Sequence, residues 1–187
     1  AQADMHRPPF ELYAPATDVY MPELYPLRCP TERENRQCVA VVSRTMREGA
    51  AAQARDPYGR PHAIWPIIQQ FKGFVDWKRY PTPEEFYGMC FASIVHGAKG
   101  ITLYTYGGYC DEKAKTFTYG VTGTEAAWST TTNCMRRIAA LSPVLLERTP
   151  PQPPAPAVLS GPTHDGVDGP SVSALCKEKD GVRYLFA

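Results

Sequence analysis

The chain has 187 residues, 43% of them hydrophobic and 21% charged, a balance that excludes a disordered segment and gives enough length for one substantial core. Lys and Arg number 20 against 19 Asp and Glu, so no broad field marks a nucleic acid or an anionic membrane as the partner, and a small neutral ligand or a protein surface fits better. No apolar run reaches the roughly 20 residues needed to cross a bilayer, and the opening AQADMHRPPFELYAP holds neither a secretory apolar stretch nor an initiator Met; the expectation is a chain that has lost a leader or begins inside a longer polypeptide.

In chain order, TDVYMPELYPL comes first, where aromatic and β-branched residues between prolines predict a strand. Thr31 and Glu34 then have the spacing of a capping box, and the run that follows predicts a helix from about Glu32 to Gln53. GRPHAIWPIIQQF is a short apolar run bounded by proline and charge, as expected of a strand buried on both faces. YPTPEEF is the clearest helix start: Thr82 at the N-cap, Pro83 at the first helical position, and Glu84 and Glu85 in the first turn, facing the positive end of the macrodipole. That position fully explains the two acids without catalysis. The helix should run to His96 and stop at Gly97.

AKGITLYTYGGY predicts a third strand, CDEKAKTFTYGVTGTE a polar loop, and about Ala126 to Leu146 a third helix, with Trp128, Met135, Ile138, Leu141 and Leu145 near one apolar face. Repeated βα units with short connections predict an α/β fold in which helices cover a parallel sheet. From Arg148 the composition changes: TPPQPPAPAVLSGPTHDGVDGP holds seven prolines and predicts a stiff connector over 149–170. PSVSALCKEKDGVRYLFA, over 171–187, predicts two strands about a Lys-Asp-Gly turn. A lone hairpin is not stable in water, and the stop at Ala187 leads us to expect further β structure in the natural protein.

The six cysteines, Cys29, Cys38, Cys90, Cys110, Cys134 and Cys176, lack the paired short spacings of a zinc site, and no metal or other cofactor is expected. Cys90 falls in an apolar helical pattern, as a buried thiol would. Cys29, Cys38, Cys110 and Cys134 sit in or beside irregular segments where bridges are feasible, which favours an oxidising, secretory compartment; free thiols in a cytosolic protein are the alternative. His164, Asp165 and Asp168 lie in a Gly- and Pro-rich loop and read as solvated.

Three segments together resemble one group of secreted, multidomain (β/α)8-barrel glycoside hydrolases whose barrel is followed by a β-sandwich. TDVYMPELYPL is similar to their sixth strand, with Asp18, Glu23, Tyr25 and Pro26 at the usual places. IWPIIQQF, RYPTPEEF and HGAKGITLYTYGG are similar to the seventh strand, seventh helix and eighth strand, and WSTTTNCMRRIAALSPVLLERTPP to the eighth helix and the barrel exit. The resemblance implies that residues 1–148 are the last three βα units of a partial barrel, completed by other segments or chains, because a closed barrel takes about 250 residues.

In such barrels chemistry sits at the C-terminal strand ends and the loops beyond them. The resemblance therefore places Glu23 as the catalytic carboxylate and Tyr25, Gln69, Gln70, Trp77, Tyr104, Tyr106 and Tyr109 as carbohydrate-binding residues, with Asp111 nearby. Aromatic faces and amides suit sugars, whose rings present C–H faces for stacking and hydroxyls for directed hydrogen bonds. Glycosidic hydrolysis usually takes two carboxyl groups. Where many retaining barrel enzymes carry the nucleophilic Glu, at the seventh strand end, this chain has Gln69 or Gln70, and the fourth strand with its acid lies outside it. The rival expectation is a non-catalytic extracellular protein that uses a degenerate glycosidase-like fold for assembly or carbohydrate binding.

Overall fold

The computed structural model describes residues 16–28, 37–54, 59, 62–73, 76–111, 116–151, 153, 156–164, 166–167 and 169–187; of residues 109–111 and 116–118 it describes the backbone only. The expected capping box at Thr31 and Glu34 lies outside these residues, as does Cys29.

Three extended stretches run parallel, side by side, in their order along the chain. The first comprises β1 (Val19–Tyr20) and β2 (Glu23–Leu24), the second β3 (Ala63–Ile64) and β4 (Ile67–Gln69), and the third β6 (Thr102–Tyr104). The first two were each expected as one strand, and each is interrupted around a proline, Pro22 or Pro66, which has no N–H to donate. Their carbonyls still accept. Ile67 N–H donates to Pro22 O at 2.8 Å and Thr102 N–H to Pro66 O at 3.0 Å, so the pairing continues across both interruptions.

The register fixes two faces, because alternate residues of a strand point to opposite sides. Leu24, Ile68 and Leu103 stand in one row and, with Tyr20 and Ile64, pack against Val42 and Met46, Phe86, Met89 and Cys90, and Cys134. These partners come from three helices, α1 (Cys38–Ala54), α2 (Pro83–Val95) and α3 (Glu125–Leu145), so all three helices cover the same face. The opposite face carries Val19, Met21, Trp65 and Tyr104, each more than a third exposed. The chain is thus a mixed α/β protein with parallel strands in βα order, as its alternation of apolar runs predicts.

Each helix begins or packs for a local reason. At α2 the Thr82 hydroxyl accepts from Glu85 N–H at 3.3 Å while the Glu85 carboxylate accepts from Thr82 N–H at 2.8 Å, a complete capping box. Arg79 clamps the same carboxylate with two bonds, of 2.6 and 2.8 Å. Gly97, at φ +94°, ends α2 in the left-handed conformation that glycine adopts without penalty. Gly88 lets α1 approach, since a Cβ there would stand 2.7 Å from Val39 Cγ2. At α3 the unforeseen cap is Thr124, whose hydroxyl accepts from Ala127 N–H at 3.1 Å. The buried stripe of α3 is Ala127, Thr131 and Cys134, one step round from the expected face, and Trp128 is left 46% exposed.

The expected polar loop at 110–125 is instead mostly structured. β7 (Tyr109–Asp111) and β8 (Thr116–Tyr119) pair antiparallel, and β5 (Lys72–Gly73) joins β8 to complete a second sheet. The alternating Thr-Phe-Thr-Tyr of β8 carries the β-propensity that the surrounding charges obscured. The final hairpin, β9 (Leu175–Lys179) with β10 (Val182–Phe186), turns through Asp180 and Gly181 at φ 52° and 75°, the paired positive values of a type I′ turn. It is tied to the end of α3 by Lys177 Nζ, which donates to Glu147 O at 2.7 Å, and by Lys179 Nζ, which lies 3.0 Å from the Glu147 carboxylate.

Burial pushes the Glu85 carboxyl upward, but the Arg79 and Thr82 hydrogen bonds outweigh it and hold the group below its ordinary 4.5. A depressed folded pKa gives stability that is present above the unfolded value and lost as pH falls through the folded one. Glu85→Gln should therefore be less stable than the parent at about pH 7 and lose most of that deficit by about pH 3. Urea midpoints at both pH values check this, and an equal gap at both refutes it.

Candidate functional site

At the C-terminal ends of the three parallel stretches the exposed face of the sheet becomes aromatic. Gln69 pairs in register with Tyr104, and Tyr25 follows Leu24 at the same level of the first stretch. The Tyr25 and Tyr104 rings lie 5.7 Å apart, and both meet the buried Phe71, edge to face at 5.2 and 5.5 Å. Trp77 joins them at 5.6 Å from Phe71 and 6.4 Å from Tyr25, and its indole N–H donates to Tyr25 O at 3.3 Å. These separations are those of mutually attractive ring pairs. Three βα units each contribute at least one ring.

Glu23 stands one row below, in register with Ile67 and Thr102, on the same face as Tyr25 and Tyr104, and its side chain is exposed. Asp76, beside Trp77, is bound to Arg28 at 2.8 Å, and the Arg28 guanidinium also covers the Trp77 ring at 5.6 Å. Lys72 lies over two rings, Tyr80 at 5.5 Å and Tyr119 at 5.3 Å. The site is therefore a ring cluster with cations at its margin and one exposed carboxylate on its floor.

The two glutamines serve the scaffold in different directions. Gln69 is wholly buried; its Oε1 accepts from Leu27 N–H at 3.1 Å and its Nε2 donates to Phe71 O at 3.5 Å. It ties the exit of the first stretch to the second. Gln70 belongs to the helix-covered face, where its Nε2 donates to Thr131 Oγ1 at 2.9 Å and Ala127 O at 3.3 Å on α3. Tyr106 is 72% exposed and meets Trp128 edge on at 6.4 Å; it stands just beyond β6, in the segment held to Val121 and Thr122 by backbone bonds. The peptide bond between Tyr104 and Thr105 is cis. Tyr109 opens β7, and its side chain lies outside those described.

The sequence thus brings Glu23, Tyr25, Trp77 and Tyr104 to one sheet end, with Tyr106 on the following segment. Sequence reasoning missed Phe71, the ring that joins the others, and the cations Arg28 and Lys72. Phe71 closes the apolar run IIQQF, and an aromatic one residue beyond two amides was the available signal. Among the described residues no group of three His, Cys, Asp or Glu side chains is placed to hold a metal ion. None of the helices is long and apolar enough to cross a membrane, among the described residues.

Replacing Gln69 by Leu leaves the buried Leu27 N–H without its acceptor, and an orphaned buried donor costs roughly 1–3 kcal/mol. Urea denaturation of Gln69→Leu should show a loss of that size, whereas parent-like stability would mean that Leu27 has found another partner. Comparison of the chain with protein-family models, curated proteins and solved structures finds no match.

Proposed function

We propose that the chain is the sixth-to-eighth-strand portion of a secreted (β/α)8-barrel glycoside hydrolase acting on the O-glycosidic bonds of a carbohydrate. One observation carries this reading: Tyr25, Trp77 and Tyr104, from three successive βα units, converge at the C-terminal ends of parallel strands with Glu23 exposed beneath them. Strands that neighbour one another in chain order, with every helix on one face, are what consecutive units of a barrel require, and the C-terminal end is where barrels hold substrate.

The residues divide the work by chemistry. Tyr104 and Tyr106 offer ring faces to the C–H surface of a pyranose, and Trp77 with Phe71 fixes Tyr25 and Tyr104 in place. Glu23 supplies one carboxylate, as nucleophile or base. The second carboxyl group, which protonates the leaving oxygen in the usual pair, comes from a strand outside this chain. The exposed face with Val19, Met21 and Trp65 becomes barrel interior once those other segments are in place.

A second reading is favoured by Gln69: at the seventh-strand end, where many retaining enzymes carry a nucleophile, the chain has an amide committed to backbone. On that reading the same ring cluster binds carbohydrate, or serves assembly, without cleaving anything.

Titration with soluble gluco-, xylo-, manno- and galacto-oligosaccharides, followed by tryptophan fluorescence, should give a saturable change for at least one series. Trp77→Ala and Tyr104→Ala should each weaken it by about tenfold, a loss consistent with one stacked ring. No saturable change in any series removes the carbohydrate reading. A dinitrophenyl glycoside of the bound sugar then separates the two readings, because its leaving group departs without an acid: release that is lost in Glu23→Gln supports hydrolysis, and binding without release supports the non-catalytic protein.

A further inference from the structure

Two of the cysteines stand together where two helices meet. Cys90 on α2 and Cys134 on α3 both belong to the hydrophobic core and are fully shielded from solvent. Both are free thiols, and their side chains are hydrogen-bonded to each other, with the Cys90 S–H donating to the Cys134 sulfur. Cys38 and Cys176 are also buried and free, but they have no such partner printed by geometry: Cys38 lies on α1 and Cys176 on β9, where its thiol is directed at Lys177 O, 3.9 Å away.

The helix that carries Cys134 is the less well held of the pair. Over its 21 residues α3 has three buried positions, Ala127, Thr131 and Cys134, whereas the 13 residues of α2 have five. Opening of a weakly anchored helix needs less free energy than global unfolding, so α3 is the element whose movement brings the thiols into contact with solvent.

We propose that Cys90 and Cys134 are a redox pair that closes to a disulfide and staples α3 to α2. The chemistry balances with a low-molecular-mass disulfide as oxidant. The Cys134 thiolate attacks one sulfur of the oxidant and expels one thiolate, giving a mixed disulfide on Cys134. Cys90, having released its proton to solvent, attacks the Cys134 sulfur and expels the second thiolate. Two protein thiols are oxidised, one external disulfide is reduced to two thiols, and the two protons lost by the protein are taken up by those leaving groups. The order of attack follows from the surroundings: the hydrogen bond from Cys90 lowers the Cys134 thiol, burial opposes it, and the Arg137 guanidinium adds to the lowering. Cys90 is held protonated by that same bond and by burial. A thiol that ionises more readily beside a cation is the one that attacks first.

A cross-link between residues 90 and 134 closes a long loop in the unfolded chain, a constraint that typically favours the folded state by a factor of roughly a hundred or more. The intact chain is incubated with oxidised glutathione and then analysed by peptide mapping without reduction and by thermal unfolding. The expected result is a Cys90–Cys134 linked peptide, with a melting midpoint several degrees higher that returns to its starting value with dithiothreitol, and no rise for Cys134→Ala. Recovery of Cys90 and Cys134 as alkylatable thiols overturns the proposal, as does their linkage to other cysteines of the chain, or a linked protein whose midpoint does not rise.

Discussion

Leu24, Ile68 and Leu103 occupy one row across the parallel stretches, and that register decides nearly everything else. A slip of one residue in any stretch would turn its apolar set away from the helices and bring its polar set onto them. With the register as it is, Tyr20, Ile64 and Ile68 meet the buried residues of the helices, and Glu23, Tyr25 and Tyr104 are left on the other face. Core and candidate site are therefore two sides of one constraint. The prolines Pro22 and Pro66 do not loosen it, because their carbonyls keep accepting from the neighbouring stretch.

The ring cluster follows from that constraint together with one buried amide. Gln69 holds Leu27 by its backbone N–H, which keeps the chain leaving the first stretch close to the second and so keeps Tyr25 against Phe71. Arg28, immediately after, reaches Asp76 and covers Trp77. An amide that could have been taken for a ligand-binding group is instead what positions the aromatic residues. Its polar atoms are used within the fold, as buried polar groups generally are.

Stability is distributed unevenly over the three helices. α2 has a complete capping box, a bidentate arginine clamp and a buried Phe86 and Met89 at the centre of the core. α1 packs closely on it through Gly88. α3 has a good cap at Thr124 but few buried side chains, and its far end is secured by Lys177 and Lys179 of the terminal hairpin. The contact between Cys90 and Cys134 falls at the junction of the best-held and least-held helices.

Much of the scaffold was legible in the residues themselves. Thr82, Pro83 and Glu85 determined where α2 begins, and Gly97 where it ends, since caps and left-handed glycines act within a few residues of chain. The apolar runs determined that strands and helices alternate, and Asp180 with Gly181 determined the final turn. What lay beyond the sequence was everything that depends on partners distant along the chain. The β7–β8 hairpin was hidden because its charged neighbours outweigh a short propensity signal. The rotation of α3 was hidden because Trp128 and Cys134 are both apolar, and only packing against α2 and the sheet selects one of them for burial. Likewise nothing local distinguishes the roles of Gln69 and Gln70: adjacent amides point to opposite faces, and it took the parallel register to send one to the backbone of the first stretch and the other to α3.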